Sequence, residues 1–396
     1  MTEPQYRQLV ELGEDLEACL RGLGRMASFA ADPKGYHSRA WGMLKRIFRT
    51  GIPELYREIQ LSDPERLPRI LKVDLMETAD GSYRIAEVDG HNKHGLGYST
   101  LAATLRRLVA PDAPVLPGAA RVIAEQLAED GRAELLLLYG DQERFYLPEL
   151  EVLRSELAKH GVEARIASEL ECSVRNGTVL VDGHPGPRLW MDLPYLHQNA
   201  ELGPRIAELY RDGGIDLLIP PKPFLGSKAL LAVLRNDEQN PELEEILREY
   251  IPERHLLGIR RSIPETYVLR RKPRPVDGVA LCRERPFVLK ESISSGMKGT
   301  VFGDDPAFDQ QLAAAGRSYY RFVLQEYVDG RARPFRYYSS EDGAALREAD
   351  WFTRVTVHYA LPRVADVIVT ARQDKAVHGA PDCLQLGTVL PASAGS

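Results

Sequence analysis

Hydrophobic residues at helical spacing dominate the first part of the chain. Leucines recur every three or four positions over residues 9–23, and apolar residues do so again over 41–48. Because one face of an α-helix returns about every 3.6 residues, this pattern predicts helices that bury one face. The same period predicts further helices over residues 100–108, 147–160, 228–235 and 241–250.

A continuous apolar run, ELLLLY at residues 134–139, is typical of a strand that is buried on both faces. The helix predicted at 147–160 and a second strand at 162–166 follow it. This order predicts a right-handed βαβ unit with parallel strands. The pairs Asn176-Gly177 and Asp182-Gly183 predict tight turns around a short strand pair.

Proline-containing segments interrupt the hydrophobic pattern and divide the chain into three units, a number that agrees with a length of 396 residues. Prolines over 111–118 indicate a linker, and Pro220-Pro221 closes the βαβ block. We predict an α/β (α+β) class with units at 1–115, 116–221 and 222–396. The first is helical and carries a charged hairpin, the second is a Rossmann-like βαβ domain, and the third alternates short strands with glycine-bearing loops.

Composition narrows the expected partners and compartment. There are 51 lysines and arginines against 57 acidic residues, for a net charge of -6. The basic run at residues 270–274 has no interleaved aromatic residues, so a nucleic-acid partner is not expected. The four cysteines show no CxxC spacing, which favours a reducing cytoplasm over disulfides or thiolate zinc sites. No stretch reaches about 18 apolar residues, so no membrane span is expected.

Residues 71–89, LKVDLMETADGSYRIAEVD, predict a β-hairpin that turns at Asp80-Gly81. With that turn centre, facing residues lie at equal distances on either side of it, and alternate side chains share a face. The pairs then expected are Val73 with Val88 and Leu75 with Ala86 on an apolar side, Glu77 with Arg84 near the turn, and Lys72 with Asp89 and Asp74 with Glu87 on the other side.

Three carboxylates on that second side predict a site for a divalent cation. Asp74 and Glu87 repel each other when directly opposed, unless a cation lies between them. With Asp89 they supply the oxygen ligands that Mg²⁺ prefers, and substrate phosphates would complete its shell. On spacing alone, an exposed hairpin with a Lys72–Asp89 salt bridge explains the pattern equally well. A slip of one residue in register would separate these side chains.

A second candidate site lies in the segment PFVLKESISSGMKGTVFG. A strand ends at Lys290, and the Ser/Gly-rich loop 292–299 follows it. Backbone amides of such a loop can cradle phosphate oxygens, although an ordinary hairpin connection has the same composition. Neither the Walker A pattern nor GxGxxG is present. Upstream, Lys228 opens a helix, where a cation opposes the helix dipole unless an anion is bound.

Together with the strand FVLQEYV, these parts resemble the ATP-grasp nucleotide site. The acidic residues precede the nucleotide-binding parts, which is similar to the circularly permuted branch typified by the synthetase domain of glutathionylspermidine synthase. The metal motif of that branch is a basic residue, any residue and Asp, and then Glu-x-Asn. Here Lys72-Val73-Asp74 and Glu87-Val88-Asp89 stand in those places. Asp89 replaces the usual Asn, which leaves Asn92 open as the third ligand.

The resemblance implies an ATP-grasp fold with ATP and Mg²⁺ as cofactors. It implies Asp74, Glu87 and Asp89 as metal ligands. It also implies two catalytic residues near the transferred phosphoryl group, Lys72 and, in VTARQDKAVHG, Arg372. The residues implied to bind the nucleotide are Lys228, Lys290, Ser295, Gly296, Met297, Lys298, Gly299, Gln325, Glu326, Tyr327 and Val328.

The implied activity is carboxylate–amine ligation. A carboxylate takes the γ-phosphoryl group of ATP to give an acyl phosphate, and an amine then displaces phosphate to form an amide. Small-molecule substrates such as an amino acid, a peptide or a polyamine are expected. A small-molecule kinase and a non-catalytic nucleotide-binding protein are the alternatives. His91, His94 and His378 could contact substrate or phosphate or stabilise loops, and the carboxylates favour a harder ion than zinc.

Overall fold

The structure is a computed structural model that describes residues 1–32, 38–91, 93–193, 199–270, 281–282, 284–294, 297–330, 332–339, 345–379 and 382–391. Its main helices are α1 (Glu3–Ala31), α2 (Arg39–Ile47), α3 (Glu54–Ile59), α4 (Leu96–Val109), α5 (Ala119–Glu129), α6 (Leu147–Lys159), α7 (Leu202–Arg211), α8 (Ala229–Arg235), α9 (Pro241–Tyr250), α10 (Glu253–Ser262) and α11 (Phe308–Ala315). None of the helices in these ranges is long and apolar enough to cross a membrane.

The first sheet joins the two ends of the chain. Its strands are β1 (Leu71–Glu77), β2 (Tyr83–Asp89), β14 (Arg333–Ser339), β15 (Ala345–Ala360), β16 (Arg363–Arg372) and β17 (Leu384–Gly387). The order is β17-β16-β15-β1-β2, and β14 pairs with the outer part of β15. The predicted hairpin is therefore extended by strands from the C-terminal region.

The hairpin register matches the prediction at its inner end and departs from it near the turn. Lys72 pairs with Asp89 and Asp74 pairs with Glu87. A β-bulge after Asp74 then shifts the pairing by one residue, so the predicted pairs Leu75–Ala86 and Glu77–Arg84 are wrong. The observed pairs are Leu75 with Ile85, Met76 with Arg84 and Glu77 with Tyr83. The turn is also longer than predicted, because Thr78 and Ser82 bond across it.

Three smaller sheets complete the fold. A parallel sheet contains β3 (Glu134–Tyr139), β4 (Glu163–Ser168), β8 (Leu189–Trp190) and β9 (Asp216–Leu217) in the order β4-β3-β8-β9. The predicted parallel βαβ unit of β3, α6 and β4 is confirmed. A short meander contains β5 (Cys172–Arg175), β6 (Thr178–Val181) and β7 (His184–Pro185). An antiparallel sheet contains β10 (Thr266–Val268), β11 (Phe287–Glu291), β12 (Thr300–Phe302) and β13 (Phe322–Glu326). The predicted α/β class is confirmed.

The first sheet has one apolar and one polar face because its strands alternate. Val73, Val88 and Val357 are buried together with Leu9 and other residues of α1. The side chain of Tyr359 reaches this helix and donates a hydrogen bond to the Leu9 carbonyl at 2.9 Å. The opposite face carries the predicted acidic residues and turns toward the antiparallel sheet.

Candidate active site

The carboxylate face is the polar side of the first sheet: Lys72 and Asp74 of β1, Glu87 and Asp89 of β2, and Arg354, Thr356 and His358 of β15. The register fixes this arrangement, since Lys72 lies opposite both Asp89 and His358 and Asp74 lies opposite both Glu87 and Thr356. Three carboxylates therefore lie on one face of two adjacent strands, and the predicted pairs Lys72–Asp89 and Asp74–Glu87 are confirmed.

Asp74 lies at the centre of the face and is 4% exposed. Its Oδ1 accepts a hydrogen bond from the Thr356 hydroxyl at 2.6 Å, and its Oδ2 lies 3.3 Å from Nη1 of Arg354. Although burial opposes ionisation, Arg354 and Lys72 hold the pKa of Asp74 below its usual value. Asp74 is thus kept as a carboxylate inside the protein.

Lys72 pairs with Asp89, and its Nζ lies 3.3 Å from Oδ2 of that residue. Although burial works the other way, Asp74 and Asp89 raise the pKa of Lys72 above its usual value. Nδ1 of His91 lies 3.3 Å from the other oxygen of Asp89. The salt bridge considered as a simpler explanation of the sequence is present, but it belongs to a mostly buried charged cluster rather than to an exposed hairpin.

Glu87 faces a lysine from another part of the chain. Nζ of Lys228 donates to Oε1 of Glu87 at 2.9 Å and to the Ser294 carbonyl at 3.3 Å. Lys228 caps the first turn of α8 and is 5% exposed. In this state Glu87 supplies the negative charge that the lysine at this helix start requires.

Lys290 of β11 connects the antiparallel sheet to the hairpin. Its Nζ donates to Oε1 of Gln325 at 2.6 Å and to the carbonyl of Ala86, the bulged residue of β2, at 3.2 Å. Burial, with the neighbouring cation of Lys228, lowers the pKa of Lys290 to about 8. Lys228, which is buried, and Lys290, which is half-buried, therefore reach the carboxylate face from other parts of the chain.

The glycine-rich loop is described in part. Ser295 and Gly296 lie outside the described residues. Met297 and Gly299 adopt positive φ angles of 64° and 69°. A Cβ atom at Gly299 would lie 2.7 Å from Cβ of Glu291, so this position requires glycine. Lys298 is exposed.

The segment that ends β13 runs along the outer end of the carboxylate face. The N–H of Glu326 donates to the Glu265 carbonyl at 2.7 Å, and that of Tyr327 donates to the Pro286 carbonyl at 3.0 Å. Gly330, farther along, passes over the side chain of Met76, since a Cβ atom there would lie 3.2 Å from Cε of Met76. Gly330 therefore lies against the outer end of this face, beside Met76.

Arg372 lies apart from the centre of the face. It lies on β16 and pairs with Phe352 of β15. Phe352 is four residues from Thr356, a separation of about 14 Å along the strand. Its guanidinium binds Asp382 at 3.0 Å and contacts the Ala376 carbonyl and His378. The arginine beside Asp74 is instead Arg354.

Sequence reasoning missed Arg354 and His358. Their signal was present in TRVTVHYA (residues 353–360), where Arg354, Thr356 and His358 alternate with apolar residues. The pairing of this strand with β1 joins residues that are 282 positions apart. It could not be inferred from one sequence.

The loop after Asp89 is fixed to the parallel sheet by buried charges. Nζ of Lys93 lies 3.1 Å from Asp192 and 3.4 Å from Glu143. His94 contacts Glu143 at 2.8 Å and stacks on the ring of Tyr146. Asp192 follows β8 and Glu143 follows β3, so both lie at the carboxyl edge of the sheet, where α/β proteins commonly bind ligands.

The donor chemistry of the face fits Mg²⁺, but its carboxylates are each next to a cation in this state. Asp74 has Arg354, Asp89 has Lys72, and Glu87 has Lys228. Within the described ranges, no group of three or more His, Cys, Asp or Glu side chains is placed to hold a metal ion. Binding a metal here requires these cations to take other partners. Asn92, the alternative ligand, lies outside the described residues.

Comparison with known proteins gives no relatives at the level of sequence: no family model matches the chain, and neither does any curated protein. Among solved structures it is similar to D-alanyl-alanine synthetase A from Vibrio cholerae O1 biovar eltor str. N16961, with 13% identity over 56% of this chain and 67% of that chain and a TM-score of 0.31. It is also similar to a RimK domain protein ATP-grasp from Sphaerobacter thermophilus DSM 20745, with 14% identity, 64% and 89% coverage and a TM-score of 0.26.

Proposed function

We propose that this chain is an ATP-dependent carboxylate–amine ligase with an ATP-grasp arrangement of the circularly permuted type. The observation that carries the proposal is the placement of three carboxylates on one face of the first sheet, with Lys228 and Lys290 reaching that face from other parts of the chain. This set combines ligands for a hard cation with cations for phosphate oxygens. The units 1–115 and 222–396 would then form the nucleotide site together, and 116–221 would supply substrate contacts.

The charges around the carboxylate face support a polyphosphate as its ligand. Lys72, Lys228, Lys290 and Arg354 carry four positive charges, and Asp74, Glu87 and Asp89 carry three negative ones. Together these groups leave one positive charge in excess, which favours an anion beside them. With MgATP bound, Lys72, Lys228 and Arg354 would exchange their carboxylate partners for phosphate oxygens, and Lys290 would do the same with Gln325 and the Ala86 carbonyl. The freed carboxylates, Asp74, Glu87 and Asp89, would hold Mg²⁺, which when bound neutralises charge on the phosphate oxygens.

The order of residues along the face suggests how the substrates lie. The segment 326–330 over Met76 would bind the nucleoside end, with the adenine edge meeting the backbone up to Val328. Arg354, Lys228 and Lys290 lie where the phosphates would be, and the loop 292–299 would cover them. Lys72, at the other end, would contact the transferred phosphoryl group, and the acceptor carboxylate would lie beyond it.

Acyl transfer to an amine needs positioning more than a dedicated nucleophile. Lys72 and Arg354 would stabilise charge on the transferred group, while burial excludes water that would compete with the amine. Arg372 was implied as catalytic by resemblance. Its partner is Asp382, so its participation would require it to leave that partner and approach the carboxylate face.

The test is an ADP-release assay with MgATP, paired carboxylates and amines, and hydroxylamine as a trapping amine. A ligase forms a hydroxamate from the acyl phosphate, whereas a kinase releases ADP and leaves a stable phosphorylated product. Asp74→Asn and Glu87→Gln should each abolish turnover and retain the circular dichroism spectrum. Glu348→Gln, an exposed position on β15, serves as the matched control. Near wild-type turnover in both site variants would refute the assignment.

A further inference from the structure

Helix α4 turns its largest apolar side chains toward solvent. Their exposed fractions are 36% for Tyr98, 45% for Leu101, 47% for Leu105, 77% for Leu108 and 85% for Val109. Because these residues follow one another at spacings of three and four, they share one side of the helix, within an arc of about 100°. We call this surface of five residues the α4 stripe.

The buried side of the same helix is more polar than the α4 stripe. Ser99, Thr100 and Arg106 are buried there. This side packs on the first sheet, since a Cβ atom at Gly387 of β17 would lie 2.5 Å from the Ala102 carbonyl oxygen. A surface helix of an isolated domain has the opposite pattern, with its apolar residues turned inward. The α4 stripe therefore has the composition of a face that packs against another surface.

The α4 stripe is a cluster and not a set of scattered exposed residues. A third of the large apolar side chains that are exposed in the described ranges lie on this helix of 14 residues. Their exposed surface is on the order of 500 Å², within the range of about 300–600 Å² of the largest apolar patches on monomers, which are often functional. Since interfaces are about 60% apolar, such a core corresponds to about 800 Å² per partner, the size of a stable interface.

We propose that the α4 stripe is the interface of a homodimer, in which α4 of one copy packs against α4 of a second copy across a two-fold axis. In such an interface the same surface lies on both sides, so both copies cover their stripe at once. With the axis near Leu105, antiparallel helices place Leu101 of each copy next to Leu108 and Val109 of the other. Side chains at these spacings form ridges that fit between those of a second helix.

The charges of this helix favour a second copy over an anionic partner. The α4 stripe carries no charged side chain, so two copies of it do not repel each other. Of the two arginines of α4, Arg106 is buried and Arg107 is exposed. A nucleic acid or an anionic membrane requires clustered cations around such a surface. The net charge of -6 also opposes binding to an anionic membrane.

Sedimentation velocity of the full chain, at concentrations from about 1 to about 100 µM, tests the inference. The wild-type protein should form a dimer within this range. Leu105→Glu/Leu108→Glu places four carboxylates in the proposed interface and should raise the dissociation constant of the dimer at least about a hundredfold. Leu101→Lys, on the preceding turn, should weaken the dimer in the same direction.

The variants should retain the fold, because these positions are exposed and glutamate and lysine are good helix formers. Circular dichroism spectra and thermal unfolding curves measure this. Leu257→Glu on α10 is the matched control, since Leu257 is exposed by the same 47% as Leu105. It should leave the dissociation constant of the dimer unchanged.

The possible results separate this inference from the proposed function. A monomer at every concentration overturns the inference. A folded Leu105→Glu/Leu108→Glu variant that dimerises like the wild-type protein also overturns it, because association then uses another surface. Monomeric wild-type protein that floats with vesicles of phosphatidylcholine and phosphatidylglycerol, when the variant does not, assigns the α4 stripe to a lipid surface and overturns the dimer. Each of these results leaves the ligase proposal standing, and a failure to bind MgATP leaves the dimer standing.

Discussion

The ion pair between Glu87 and Lys228 offers a quantitative test of the contacts at the carboxylate face. We consider a double-mutant cycle of Glu87→Gln and Lys228→Met, which remove one charge each with little change in volume. Nζ of Lys228 and Oε1 of Glu87 are 2.9 Å apart. The two side chains are unequally exposed, at 31% for Glu87 and 5% for Lys228. The loss of each partner should therefore have a different cost.

The magnitude follows from this asymmetry. At 2.9 Å and an effective dielectric constant of about 20, the Coulomb attraction is about 6 kcal/mol before desolvation. Charged hydrogen bonds retain about 1.5–3 kcal/mol of such an attraction. Glu87→Gln leaves a buried cation and should lower the free energy of unfolding by about 2 kcal/mol. Lys228→Met leaves a carboxylate that water can reach and should cost about 1 kcal/mol. The two effects should not add, with a coupling of about 1 kcal/mol or more.

Urea denaturation of the four proteins of the cycle, without nucleotide, measures the coupling. The exposed pair Arg121–Glu125 on α5 is the control, and Arg121→Met with Glu125→Gln should show a coupling of about 0.3 kcal/mol. If the two losses in the free energy of unfolding at Glu87 and Lys228 add to within about 0.5 kcal/mol, the ion pair does not stabilise the protein. Calorimetric titration with MgATP extends the test, since the coupling should disappear once both residues have exchanged partners.

Three further predictions concern Lys290 and Lys93. Because the pKa of Lys290 is lowered to about 8 from an ordinary 10.5, the affinity for MgATP should fall as the pH rises through 8, and Lys290→Met should bind weakly with no such dependence. Between pH 8 and 10.5 Lys290 carries a proton in the unfolded chain but not in the folded protein, so without nucleotide the free energy of unfolding should increase as the pH rises over this range. Denaturation curves that show the reverse would contradict this pKa. Lys93→Met should lower the free energy of unfolding by about 3–5 kcal/mol, because it leaves the buried carboxylates of Asp192 and Glu143 without their lysine partner. The double variant Lys93→Met/Asp192→Asn should recover part of this loss. The exposed Lys159→Met is its control, and a loss below about 1 kcal/mol for Lys93→Met would contradict the burial of this cluster.

Local signals account for what the sequence could predict. The hairpin of β1 and β2 and the βαβ unit of β3, α6 and β4 depend on alternation, apolar runs and turn residues that lie close together in the chain. The pairing of Asp74 with Glu87 was within reach because the turn near Gly81 limits the register. The bulge after Asp74 was not, since its cause is the packing of both strands in a larger sheet and leaves no mark in composition.

The candidate site was predictable where its residues lie on one hairpin or one strand, as Asp74, Glu87 and Lys290 do. Arg354 and His358 could not be assigned, because their role depends on which strand lies beside β1.

The position of β1 between β2 and β15 has a consequence for how the protein is made. The side chains of Asp74 and Thr356 that bond in this sheet are 282 residues apart. A ribosome must therefore synthesise most of the chain before the centre of the carboxylate face can close. Until then one edge of β1 has no strand partner and is open to pairing with other chains. Such a high contact order predicts slow folding, and the carboxylate face should be among the last parts of the molecule to appear during refolding.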